Sequence, residues 1–124
     1  MNYGIERLHA DLKLLGYDPV AIKDSSGLNY AMIGGFIIPA GKFEGRVIDL
    51  AIPAPPDYGR IVGSSMHIKS NPILVDYQNV PSVRNVIASN LGSEWRYWSF
   101  AFKFLPANPT EYLMSQIITI LKNV

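Results

Sequence analysis

The sequence predicts an α+β domain, with helices at the two ends and a single antiparallel sheet between them. Three observations lead there. Apolar residues recur at helical spacing in residues 3–15 and again after Pro109. Short runs rich in β-formers, one with strict alternation, lie between those helices. The turns joining the first runs are too short for parallel crossovers, so successive strands pair antiparallel and the helices cover one face.

The opening helix is read from Ile5, Leu8, Leu12 and Leu15 on one face, with Glu6, Arg7, Asp11 and Lys13 free to meet water. Gly16 suits a left-handed C-terminal cap, and Pro19 prevents the helix resuming. Residues 20–23 form a short strand candidate. Residues 29–38 form a longer one, in which Gly34-Gly35 marks a bulge or a close backbone approach. Residues 46–52 alternate cleanly, with Val47, Asp49 and Ala51 on one side and Ile48, Leu50 and Ile52 on the other.

Pro53, Pro55 and Pro56 place three prolines in four positions, which predicts a stiff surface connection ending near Tyr58 and Gly59. Residues 64–69 read as a fourth main strand. Residues 70–94 read as a long irregular segment, a length that in a compact domain usually signals function or short helices. At the end, Asn108 is placed as N-cap, Pro109 at the first helical position and Glu111 at the third. Leu113, Ile117, Ile120 and Leu121 give that last helix its apolar stripe.

At 124 residues the chain is read as one domain, residues 1–124. With 48% apolar and 17% charged residues it has the composition of a folded domain, and a net charge of +1 implies no nucleic-acid or membrane partner. There are no cysteines, which removes disulfides, thiolate metal sites and thioester chemistry together. That fits a cytoplasmic setting. The opening residues do not read as a signal peptide, because Glu6 and Asp11 interrupt any apolar region. No apolar run approaches the ~20 residues that cross a membrane as a helix. His9 and His67 lack paired spacing, so no metal and no cofactor is expected. No glycine-rich phosphate cradle or Gly-x-Ser-x-Gly elbow is present.

One segment is denser than the rest. Trp95-Arg96-Tyr97-Trp98-Ser99 holds both tryptophans of the chain within four positions. Taken alone, its aromatic residues are core filling beneath the last helix. The order helix, meander, proline-rich turn with Tyr58, strand, irregular stretch and proline-started helix resembles the ubiquitin-conjugating (UBC/RWD) superfamily. The tryptophan–serine motif is similar to that of a divergent bacterial group of UBC-like proteins associated with ubiquitin-like modifiers. The resemblance covers nearly the whole chain. It implies an N-terminal helix on a four-stranded antiparallel meander, an irregular active-site segment and a C-terminal helix.

The family's catalytic cysteine is absent. Ser99 stands about ten residues before Pro109, at the spacing of that nucleophile. The resemblance therefore implies a carrier that accepts a modifier from an activating enzyme as an oxyester on Ser99 and passes it to a target. Asn71, in Ser70-Asn71-Pro72, and Asn90 are equal candidates for the oxyanion donor, in place of the family's missing His-Pro-Asn motif. Asp76, His67 or Glu94 is the base that a serine hydroxyl needs; Ser93 and Ser89 are the reserve nucleophiles. Arg7, Asp11 and Lys13 on the first helix, with Trp95 and Arg96, become the partner surface. The competing implication is a catalytically dead scaffold that binds a modifier or an activating enzyme, and a third is that a cysteine was engineered away.

Overall fold

The computed structural model describes residues 3–59, 65–75, 83, 85–100 and 109–124, with the backbone alone at Asn85. The elements in chain order are α1 (Ile5–Leu14), β1 (Val20–Lys23), β2 (Asn29–Ile37), β3 (Val47–Ala54), β4 (Ser65–Lys69), β5 (Asn85–Ser89), β6 (Gly92–Ser99) and α2 (Pro109–Asn123). The strands form one six-stranded antiparallel sheet in the order β1-β2-β3-β4-β6-β5.

The expected four-stranded sheet is therefore too small, and the stretch expected to be irregular holds a hairpin. β5 and β6 pair with each other through a turn at Asn90-Leu91, and β6 then docks on β4. Trp95, Trp98 and Ser99 lie on a strand, not in an active-site loop. The expected N-cap Asn108 lies outside the described residues, as does Asp76.

Helical spacing holds within α1 but not at its end. Leu8 and Leu12 are fully buried, whereas Leu15 stays exposed at the cap. Gly16, at φ 96°, closes α1 as expected: its N–H reaches the Lys13 carbonyl and that of Tyr17 reaches Leu12. In β2 the register slips between Ile33 and Phe36, so Gly34-Gly35 is the bulge its composition suggested. β3 runs on through Pro53, which lies opposite Tyr30. The β3–β4 register covers only Asp49 to Ala51, so the missing N–H of Pro53 breaks no pairing with β4.

Both helices cover the same face. Leu8 and Leu12 of α1 join Leu113, Ile117, Ile120 and Leu121 of α2 over Ile48, Leu50, Ile52, Met66, Ile68 and Trp98. Each such side chain, fully buried, is worth about 1.5–3 kcal/mol, so this layer dominates the stability. α2 thus lies beside α1. Tyr58 is fully buried in the same core, while Pro56 is exposed and Pro55 half-buried. Tyrosine, more than proline, anchors the turn. Among the described residues no helix is long and apolar enough to cross a membrane.

Candidate functional site

The second face of the sheet carries no helix among the described residues, and it is concave. The loop after β1 meets the turn between β5 and β6, where the Ser25 N–H approaches the Asn90 carbonyl at 3.5 Å. Strands three or more positions apart in the sheet are thereby drawn together across one face. Beneath that closure Tyr30, Ala51 and Trp95 form a second, small core with Ile22, Leu28, Met32 and Leu91 around it. Side chains alternate along a strand, so Trp95 and Trp98, three positions apart, fall on opposite faces. Trp98 fills the helix-covered core and Trp95 this smaller one.

The concavity holds a cavity of about 640 Å³. Asp24, Tyr30, Pro53, Ser65, His67, Ile87, Asn90 and Tyr97 are among the residues that line it. His67 lies between two tyrosines, packed edge-to-face with Tyr30 at 4.8 Å and with Tyr97 at 4.9 Å between ring centres. Strand register explains the trio: Tyr30, His67 and Tyr97 come from β2, β4 and β6, and His67 pairs directly with Tyr97.

Asp24 caps the loop after β1. Its Oδ1 accepts the Ser26 N–H and hydroxyl and the Leu28 N–H, and its Oδ2 accepts the Tyr30 hydroxyl at 2.7 Å. Burial pushes this carboxyl upward, but the four hydrogen bonds outweigh it and hold it at about 2. Burial, then the bond to Asp24, pushes the Tyr30 phenol up, so it remains a donor. His67 is only 4% exposed, and burial pushes its imidazole down to about 4.

His67 Nδ1 lies 2.7 Å from Ser89 Oγ, which also accepts the Leu91 N–H. A reserve nucleophile and an expected base are thus in contact, beside Asn90. The pairing has the geometry of nucleophile activation but not its energetics. With its imidazole pushed down to about 4 by burial, His67 is a much weaker base than an ordinary histidine. The bond instead satisfies a buried histidine.

Ser99 is 9% exposed and sits at the end of β6, paired with Ser65 on one side and Asn85 on the other. Asn71 and Asn90 are not near it. Asn71 lies two positions beyond Lys69, which pairs with Trp95, so six strand positions, roughly 20 Å, separate it from Ser99. Asn90 precedes β6 at the same far end. Neither can donate to an oxyanion on Ser99. Glu94 is also at that end, in an ion pair with Lys69 at 3.2 Å. His67 is the diagonal neighbour of Ser99 on the same face, about 7–8 Å away by register.

The expected partner surface on α1 is partly internal. Arg7 Nε bonds Asp11 Oδ2 at 2.8 Å, and the same oxygen accepts the Thr110 hydroxyl from α2 at 2.6 Å. Arg7 and Asp11 therefore tie the helices together, and only Lys13 is exposed. Trp95 is buried, and Arg96 Nη1 donates to the carbonyls of Ser93 and Trp95. Asp24, Tyr30, Ser65 and Tyr97 were missed as site residues. Their one signal in the sequence is the turn Asp24-Ser-Ser-Gly27. The rest depends on strand register. Comparison with protein-family models, with curated proteins and with solved structures yields no match.

Proposed function

We propose that the chain is a UBC/RWD-like binding module, cytoplasmic in setting, that holds a ubiquitin-like modifier or its activating enzyme on the concave face of the sheet. The observation that carries this reading is the cavity of about 640 Å³ on the face opposite both helices, walled by Tyr30, His67 and Tyr97. Concave sites of this size, mostly apolar with a few fixed polar groups, take small ligands, and a side chain presented by a protein partner is a ligand of that scale. The partner class comes from the resemblance of the order of elements, and the fold alone does not fix it.

The oxyester carrier is the second reading. It is favoured by Ser99 lying on the cavity's face, across the ladder from Ser65, which lines the cavity. Against it stand the ladder position of Ser99 and the distance to Asn71, Asn90 and Glu94. Intact-mass measurement after incubation with an activating enzyme, a ubiquitin-like modifier and ATP separates the two. A binding module keeps its own mass while retaining the modifier or the enzyme in size-exclusion chromatography. A hydroxylamine-sensitive adduct that disappears in Ser99→Ala establishes the carrier instead.

A further inference from the structure

We infer that the cavity between the two hairpin turns takes a cationic side chain, lysine or arginine, presented by the protein partner. This rests on the binding reading and names what the site recognises.

The argument is one of charge and shape. Among the described residues lining the cavity, Asp24 is the only one that is charged at neutral pH. Its carboxylate is fixed by four donors, so it needs no reorganisation to meet a cation, and Oδ2 receives only the Tyr30 hydroxyl among them. The chain as a whole carries +1, so this negative spot is local. The half-buried Tyr97 lines the same space beside the buried Tyr30, and the negative face of a tyrosine ring attracts ammonium and guanidinium groups. His67 is held neutral by burial and adds no opposing charge. Pro53, Pro55 and Ile87 supply apolar wall for the methylene stem that lysine and arginine bury while their head groups stay polar.

The test is fluorescence anisotropy of the whole chain with labelled alanine-rich peptides that each carry one lysine, one arginine, one acetyl-lysine or one norleucine. The lysine or the arginine peptide binds saturably, and the stronger of the two names the head group. Acetyl-lysine and norleucine bind at least about tenfold more weakly, as does the cationic peptide to Asp24→Asn or at high salt. Asn keeps an acceptor oxygen for the turn, and Tyr97→Leu gives a second loss that does not touch the turn. Equal binding of norleucine and lysine, or binding unmoved by both substitutions, overturns the inference. So does failure of all four peptides. If a modifier or activating enzyme then still binds at this face, only the cation assignment is lost; if neither binds, the binding reading falls as well.

Discussion

Thr110, at the second position of α2, donates its hydroxyl proton to the Asp11 carboxylate of α1 at 2.6 Å, across 99 positions of sequence. That assignment orders the whole network. A carboxylate cannot donate, so the single threonine proton goes to Asp11, and the Tyr58 hydroxyl, 2.7 Å from Thr110 Oγ1, is the donor in its own bond. Burial pushes the Tyr58 phenol up to about 12, against the lowering effect of the Thr110 bond, so it keeps its proton. Arg7 Nε donates to that same Asp11 oxygen at 2.8 Å and ends the chain.

Substitutions along that chain should follow the donor order. Tyr58→Phe is expected to lose one buried hydrogen bond, about 1 kcal/mol, and Thr110→Val about 1–3 kcal/mol because it strands the tyrosine donor. Tyr58→Ala should cost about 3–5 kcal/mol. Arg7→Glu should destabilise by placing like charge on Asp11, whereas Lys13→Glu, on an exposed side chain, should change little. Urea unfolding of the five variants checks the ranking; equal effects at Arg7 and Lys13 would contradict it.

Acid should weaken the fold in two steps. The folded chain holds His67 neutral down to about 4, against an ordinary value of 6.5. Between those values the unfolded chain binds a proton that the folded chain does not, so stability falls as pH falls. The contribution is whole above pH 6.5 and is lost by pH 4, about 3 kcal/mol. Asp24 follows at lower pH: its folded value of about 2 against 3.8 means stability lost as pH falls through that lower window. Unfolding free energies measured from pH 7 to pH 3 should lose their upper slope in His67→Phe.

Two glycines with positive φ should differ sharply. Gly41 (φ 93°) sits where a Cβ would overlap the Lys122 carbonyl oxygen at the end of α2. Gly35 (φ 70°) has open space around it. Alanine at either position meets the left-handed backbone penalty of about 1–2 kcal/mol. At Gly41 it must also push α2 off the loop, so Gly41→Ala should lower the melting temperature well beyond Gly35→Ala.

The helix-covered core was legible because periodicity reports it directly: Leu8, Leu12, Ile48, Leu50 and Ile117 each sit where their spacing put them. The Gly16 cap and the Gly34-Gly35 bulge were legible because glycine marks backbone that other residues avoid. β5 and β6 were not read, because Asn85–Ser89 and Gly92–Ser99 mix polar and apolar residues without strict alternation; each has one face on the core and the other on the concavity. The candidate site escaped for a related reason. Tyr30, His67 and Tyr97 lie 37 and 30 residues apart, and only the register of three strands brings them together. Register also decides the surroundings of Ser99: it brings His67 to a diagonal position and leaves Asn71, Asn90 and Glu94 at the opposite end of β6.

Ser99 should be dispensable for partner binding. Ser99→Ala and Ser99→Cys are expected to bind a modifier or activating enzyme within about twofold of the parent chain, a difference of about 0.4 kcal/mol. Calorimetric titration checks this. A covalent thioester on Ser99→Cys, with an oxyester on the parent, would return Ser99 to the carrier role.

The concave face as the binding surface is tested most directly by amide chemical-shift mapping of the isotope-labelled chain, titrated with a ubiquitin-like modifier or its activating enzyme. Shifts concentrated at Asp24, Tyr30, Ser65, Ile87, Asn90 and Tyr97, with Glu6, Lys13 and Tyr112 on the helices unmoved, are the expected result. Shifts confined to the outer sides of α1 and α2, with the cavity residues unmoved, would contradict it.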